Sequence, residues 1–216
     1  MKTYVINLDH RTDRLAAVQV AINNMGVEGF IRVPAIDTRN QVEFPKEQVL
    51  DESMAAIRRG HRLEHHELTT GAVGCYLSHM KCWSLLKHSG DACALILEDD
   101  VVFTNTPEDF DRIVSIGRAE LADGLDIFLL GHSFDVAGPE RAMLVEKFYG
   151  TYAYLISASA CDKLLRFALP MKYQLDSFMS ELNHAEVLRT KAMLPSFVKH
   201  SGFDTDIQLH QPYQGV

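Results

Sequence analysis

Ala94-Leu95-Ile96-Leu97-Glu98-Asp99-Asp100-Val101-Val102-Phe103 runs from an aliphatic stretch into three consecutive carboxylates and back to apolar residues. The first half is short and continuously apolar, the pattern of a strand buried on both faces. The acids then fall where that strand leaves the sheet, at its C-terminal end, which is the edge where open α/β sheets bind ligands. Three adjacent carboxylates repel one another and are costly to desolvate without a partner. A hard divalent cation, which prefers oxygen ligands, is the simplest partner. The same residues also suit a solvated acidic turn.

Working outward, residues 3–8 form a short apolar run that reads as a first strand. Residues 15–25 carry Leu15, Val18, Ala21, Ile22 and Met25 at helical spacing, and Gly26 stops that helix. Residues 30–36 read as a second strand. Strand, helix, strand over this length is a βαβ unit, with a parallel pair and a right-handed crossover. Downstream, residues 71–88 read as a long helix ended by Gly90. Residues 107–122 read as another, with Thr106 as cap, Pro107 at the first position and Glu108-Asp109 in the first turn. Residues 126–130 and 152–156 are strand candidates, and residues 158–167 and 177–185 are helix candidates. The segment from Met193 onward carries little periodicity and is expected to pack over the site. The fold class expected is a single α/β domain over residues 1–216, of Rossmann type, with a mostly parallel central sheet flanked by helices.

Residues 37–67 differ from their surroundings. They are rich in charge and amide, and they are expected to form a mobile insertion or lid, helical in part over 46–59. His61, His65 and His66 with Glu64 and Glu67 have the composition of a zinc set. They lack an H-E-x-x-H pattern, and a run this polar reads as solvated surface.

The chain has 216 residues, 47% hydrophobic and 23% charged, enough for one domain with a sizeable core. A net charge of −8 argues against general nucleic-acid binding and against a polybasic membrane anchor. The N-terminal apolar run is too short for a signal peptide, and no stretch reaches transmembrane length. A soluble, cytoplasmic chain is expected, with at most peripheral contact at the inner face of a membrane. Cys75, Cys82, Cys93 and Cys161 form no C-x-x-C pair, so neither a zinc ribbon nor a redox motif is indicated.

Several short pieces occur together in one order. They are Val5-Ile6-Asn7-Leu8-Asp9 with Arg11 and Asp13-Arg14, then Gly74-Cys75-Tyr76-Leu77-Ser78-His79 with Trp83. Ile96-Leu97-Glu98-Asp99-Asp100-Val101, Tyr154-Leu155-Ile156-Ser157 and Asp176 follow. Together they resemble glycosyltransferase family 25, the lipooligosaccharide galactosyltransferase group, whose relatives include collagen galactosyltransferase domains. The resemblance implies a GT-A-like nucleotide-sugar-binding domain. It also implies an inverting, metal-dependent transfer of a hexose, galactose from UDP-galactose, to a glycan or glycolipid acceptor such as lipooligosaccharide, with Mn²⁺ or Mg²⁺ as cofactor.

That chemistry assigns candidate roles. As the glycosidic bond breaks, negative charge grows on the diphosphate, and a bridging divalent metal stabilises it as a Lewis acid. Glu98-Asp99-Asp100 stands where the family's D-x-D-like group would. Asp100 is the first choice for a metal ligand, Glu98 a metal or ribose ligand, and Asp99 a donor contact. His200 is a candidate late metal ligand, with a structural histidine as the alternative. Asn7, Leu8 and Asp9 follow the first strand, where Asp9 can accept from uracil or ribose or else cap the next helix. Arg11 and Arg14 can reach phosphate or pair with nearby acids. Gly71 and Gly74 suggest close backbone approach at a helix start. Ser78 and His79 follow one turn later, with His79 either a donor contact or a satisfied core histidine. Trp83 reads as core. Asp176 is the leading general base, with donor-sugar ligand and helix N-cap as alternatives. Glu181 and Asp204 are weaker candidates, and Asp204 with Asp206 can equally close the fold.

Two other classes compete. A metal-dependent nucleotidyltransferase would need a triphosphate loop, and no Walker A ending is present. A non-catalytic sugar-nucleotide or glycan-binding member would keep the fold without the base.

Overall fold

The computed structural model describes residues 1–134 and 138–201. In chain order the elements are β1 (Lys2–Asn7), α1 (Thr12–Asn24), β2 (Ile31–Pro34), α2 (Asp51–Arg59), α3 (Thr70–Ser89), β3 (Cys93–Glu98), β4 (Val101–Phe103) and α4 (Pro107–Ala122). They continue with β5 (Ile127–Gly131), β6 (Arg141–Leu144), β7 (Ala153–Ser157), α5 (Ala158–Phe167), α6 (Leu175–His184), β8 (Thr190–Leu194) and β9 (Val198–His200). The main sheet runs β2-β1-β3-β7-β5-β8-β6. β2, β1, β3, β5 and β8 point the same way, and β7 and β6 run against them. β9 lies alongside β5 and pairs antiparallel with β4.

The two-residue period of the strands builds a core on each face. Tyr4 and Ile6 of β1, Ile96 of β3 and Tyr154 and Ile156 of β7 pack with α3 and α5 through Trp83, Leu86 and Leu164. Val5, Leu95, Leu97 and Leu155 point the other way, onto Val18 and Ile22 of α1 and Phe110 and Ile113 of α4. The sheet is therefore covered on both sides, which is why β1, β3, β5 and β7 read as nearly unbroken apolar runs. Local signals set the helix starts. Thr69, Thr106 and Ser157 accept from the amides of Ala72, Asp109 and Ala160 in the first turns of α3, α4 and α5. Gly90 ends α3 in the left-handed region, at φ 77°.

Residues 37–67, expected to form a mobile insertion or lid, pack in part against the domain: Phe44, Val49, Met54 and Ile57 join the core, and α2 buries an apolar face beneath its charged one. The polar average hid this, because only one face of a helix needs to be apolar. Of the segment from Met193, expected to pack over the site, the described part, to Ser201, belongs to β8 and β9, where Leu194 enters one core and Val198 the other. β6 was also unseen, since its half-exposed Arg141–Leu144 carries no buried face. The last helix starts earlier than expected, at Leu175, so its N-cap is Gln174 and Asp176 lies within its first turn. Asp204 and Asp206 lie outside the described residues.

Candidate active site

The C-terminal ends of β1 and β3 open into a cleft. Asn7, Leu8 and Arg14 line one side, the 35–39 loop and Gly71, Cys75, Ser78 and His79 another, and Glu98, Asp99 and Asp100 the floor.

The three acids are held differently. Asp99 is buried and accepts from Asn7 Nδ2 at 2.6 Å and Arg14 Nη1 at 3.1 Å. Burial pushes its carboxyl above the ordinary value against the pull of these two donors. Asp100, also buried, accepts on Oδ2 from Arg14 Nη1 at 3.2 Å, and His200 Nε2 lies 2.9 Å from the same oxygen. That contact draws the His200 imidazole up to about 9. Asp100 Oδ1 is buried and has no hydrogen-bond partner among the described residues. Glu98 Oε1 meets His79 Nε2 at 3.3 Å and Thr151 Oγ1 at 3.5 Å.

An unpartnered buried carboxylate oxygen at a cleft floor is what a hard cation would complete, so the residues present fit a divalent metal. Asp100 and Glu98 are the groups that would hold it; His200, a cation on Asp100 Oδ2, would join them only after losing its proton. Cys75, which the motif did not single out as a ligand, also offers its Sγ within 4.8 Å of donor atoms of His79 and Glu98. Burial, and then the charges of Glu98, Asp176 and Asp100, push its thiol well up, so it stays protonated.

A family model described as glycosyltransferase family 25 (LPS biosynthesis protein) matches residues 1–122 of the 216. The chain belongs to glycosyltransferase family 25. Procollagen galactosyltransferase 1 of Danio rerio is 33% identical over 126 residues, 52% of this chain and 20% of that protein. A Bos taurus relative named "Probable inactive glycosyltransferase 25 family member 3" is 28% identical over 176 residues, 76% of this chain and 28% of that protein. The chain thus spans under a third of the length of the curated relatives it matches. Among solved structures, A197 from STIV aligns over 98% of this chain and 100% of its own, with TM-score 0.50 at 12% identity, a likeness of fold. The expected α/β domain, with helices on both sides of a mostly parallel sheet, is the one observed.

In this family 25 chain Arg11 and Arg14 take the alternative of pairing with nearby acids, and Asp9 neither lines the cleft nor caps a helix. Arg14 is the buried counter-ion of Asp99 and Asp100, and Arg11 pairs with Asp13. Asp9 is exposed, does not line the cleft and does not cap α1; it binds Arg32 at 2.5 Å. Gly74 approaches another backbone: a Cβ there would stand 2.3 Å from Ile36 O and 2.6 Å from Thr38 Oγ1. Ser78 accepts from Ile36 N at 2.8 Å and donates to Gly74 O at 2.6 Å. Gly74 and Ser78 therefore shape the cleft by holding the 36–38 loop on α3. His79 is buried between Tyr154 and Glu98, and Trp83 is core, as expected.

Asp176 is buried with both oxygens engaged. Oδ1 accepts from Ser177 N at 2.7 Å; Oδ2 accepts from Gly150 N at 3.1 Å and lies 2.9 Å from His65 Nε2. Burial raises its carboxyl, but His65 and the Gly150 amide outweigh that and leave it below the ordinary value. Sequence reasoning placed His65 in a solvated cluster; it instead reaches Asp176, helped by Gln174, whose side chain donates to the carbonyls of His65 and Glu67 at 2.7 and 2.8 Å. Glu181 is exposed on α6, away from the cleft.

Proposed function

We propose that this chain is an inverting, metal-dependent hexosyltransferase that moves galactose from UDP-galactose to a glycan or glycolipid acceptor such as lipooligosaccharide. The observation that carries the reading is Asp100: a buried carboxylate just past β3, beside Glu98 and His200, whose Oδ1 lacks a partner among the described residues. Mn²⁺ or Mg²⁺ held there would neutralise the diphosphate as the sugar departs. Asn7, Leu8 and Ser78 would border the nucleotide, and Asp176 would take the acceptor's proton once His65 yields Oδ2. Galactose is suggested by the name of the zebrafish relative. No helix among the described residues is long and apolar enough to cross a membrane. We place the reaction in the cytoplasm, with a lipid-linked acceptor met at the membrane's inner face.

A thermal-shift panel of UDP, UDP-galactose and UDP-glucose, with and without Mn²⁺, tests donor and metal together. A ligand at about 100 times its Kd stabilises the folded state by about 2.7 kcal/mol. Stabilisation that requires both UDP-galactose and Mn²⁺ supports the reading; no shift with any nucleotide overturns it. A second reading, a non-catalytic binding member, draws on Arg14 and His200, which balance Asp99 and Asp100 without a cation, and on the name of the bovine relative. It expects nucleotide-sugar binding indifferent to Mn²⁺ and no UDP release.

A further inference from the structure

Behind Glu98 lies a buried line of hydrogen bonds with a single direction. Trp83 Nε1 stands 3.0 Å from Tyr154 Oη, and an indole nitrogen only donates, so the phenol oxygen accepts there. Burial holds the Tyr154 phenol well above its ordinary value, so it keeps its proton. His79 Nδ1, 2.8 Å from Tyr154 Oη, is where that proton can go. An Nδ1 that accepts places the imidazole proton on Nε2, and Nε2 faces Glu98 Oε1 at 3.3 Å. Trp83 and Tyr154 are 0% exposed and His79 1%, so water does not compete along this line. The His79 and Tyr154 rings also stack, with centroids 5.7 Å apart. Thr151 Oγ1 bonds the same Oε1 of Glu98.

We propose that Trp83, Tyr154 and His79 are positioning residues that hold the Glu98 carboxylate toward the donor cleft by its Oε1, leaving Oε2 for the ligand, while His79 itself touches neither donor nor cation. This rests on the reading of the cleft as a donor site. It also separates the two sets of groups that could hold a cation. An Nε2 that carries a proton has no lone pair for a metal, so the Cys75, His79 and Glu98 set is closed, and the cation belongs on the Asp100 side.

The test uses the full chain labelled with ¹⁵N-histidine. Two-bond ¹H–¹⁵N correlation spectra read the His79 tautomer without donor or metal, and titration with Mn²⁺ and UDP reads the cleft. Nε2–H is expected in the wild type. Tyr154→Phe and His79→Ala should weaken Mn²⁺-dependent UDP binding by about tenfold or more, the usual effect of removing a group that orients a ligand. His79→Gln, whose amide can still donate to Oε1, should recover part of it, with thermal melts showing that each variant folds. An Nδ1–H tautomer in the wild type overturns the proposal. So does a thiolate-to-cobalt charge-transfer band on adding CoCl₂, or a folded Tyr154→Phe variant that binds UDP and Mn²⁺ like the wild type. A wild type with the Nε2–H tautomer that binds no UDP in Mn²⁺ overturns the donor-cleft reading and with it the positioning role, while the direction of the hydrogen bonds stands.

Discussion

His200 Nε2 lies 2.9 Å from Asp100 Oδ2, although a hundred residues separate them in the chain. The antiparallel pairing of β9 with β4 brings them together, with His200 registered against Val101, the neighbour of Asp100. The Ser201 amide completes the closure by donating to the Asp100 carbonyl at 2.6 Å. A short strand pair thus sets a late histidine beside an acid whose other oxygen has no partner among the described residues.

Asp100→Ala should therefore remove Mn²⁺-dependent stabilisation by UDP-galactose while the protein stays folded. Arg14 keeps Asp99 as its counter-ion at 3.1 Å, so no buried charge is stranded. Mn²⁺ affinity measured by electron paramagnetic resonance should fall by at least roughly tenfold. Unchanged affinity would remove Asp100 from the metal site.

Asp176→Asn preserves shape but removes the charge that His65 and the Gly150 and Ser177 amides stabilise. Transfer measured by UDP release should drop by roughly a hundredfold, the lower end of what general base catalysis contributes. Mn²⁺-dependent UDP affinity should hold, because Asp176 does not line the donor cleft. Equal turnover in variant and wild type would exclude it as the base.

Gly74→Ala would drive a methyl group into Ile36 O and Thr38 Oγ1, one a backbone atom that cannot swing aside. Denaturant unfolding should show a loss of about 1–3 kcal/mol, the usual cost of overpacking. UDP affinity should weaken with it, since the displaced loop lines the cleft. A variant as stable as the wild type would mean that α3 and the 36–38 loop are not in close contact.

Glu67 gives a pH dependence. Burial raises its carboxyl, but Arg59 and the amides of Leu63 and Glu64 outweigh that and bring it from 4.5 to about 2. A carboxyl depressed in the folded state stabilises it fully above its unfolded value, and that contribution is lost as pH falls through the folded one. Glu67→Gln should be less stable than wild type at pH 7, and the gap should close between about pH 4.5 and pH 2. A gap that persists unchanged at pH 2 would contradict the Arg59 pairing.

Much of the fold was legible because local chemistry dictates it. The expected helix over residues 107–122 matches α4, since Thr106, Pro107 and the first-turn acids each satisfy or suit a helix N-terminus. β3 was legible because a strand buried on both faces must be apolar throughout. β8 and β9 were not, because short strands interrupted by Pro195 and Ser196 gain their identity from the neighbours they pair with. Within the site, the acidic floor, Asn7 and His79 were readable from the motifs, whereas the partners of Arg14, Asp9 and Asp176 were not.

By itself, then, the sequence determined where carboxylates would meet a sheet edge: an apolar strand must end, and its polar residues must fall at that end. Only the tertiary structure decided how each acid is used. Arg14 pairs with two of them, the line from Trp83 through Tyr154 and His79 orients Glu98, and His200 arrives from β9 to face Asp100. Hydrogen bonds and ion pairs of this kind act over about three ångströms, and which groups come that close is set by strand register rather than by spacing along the chain.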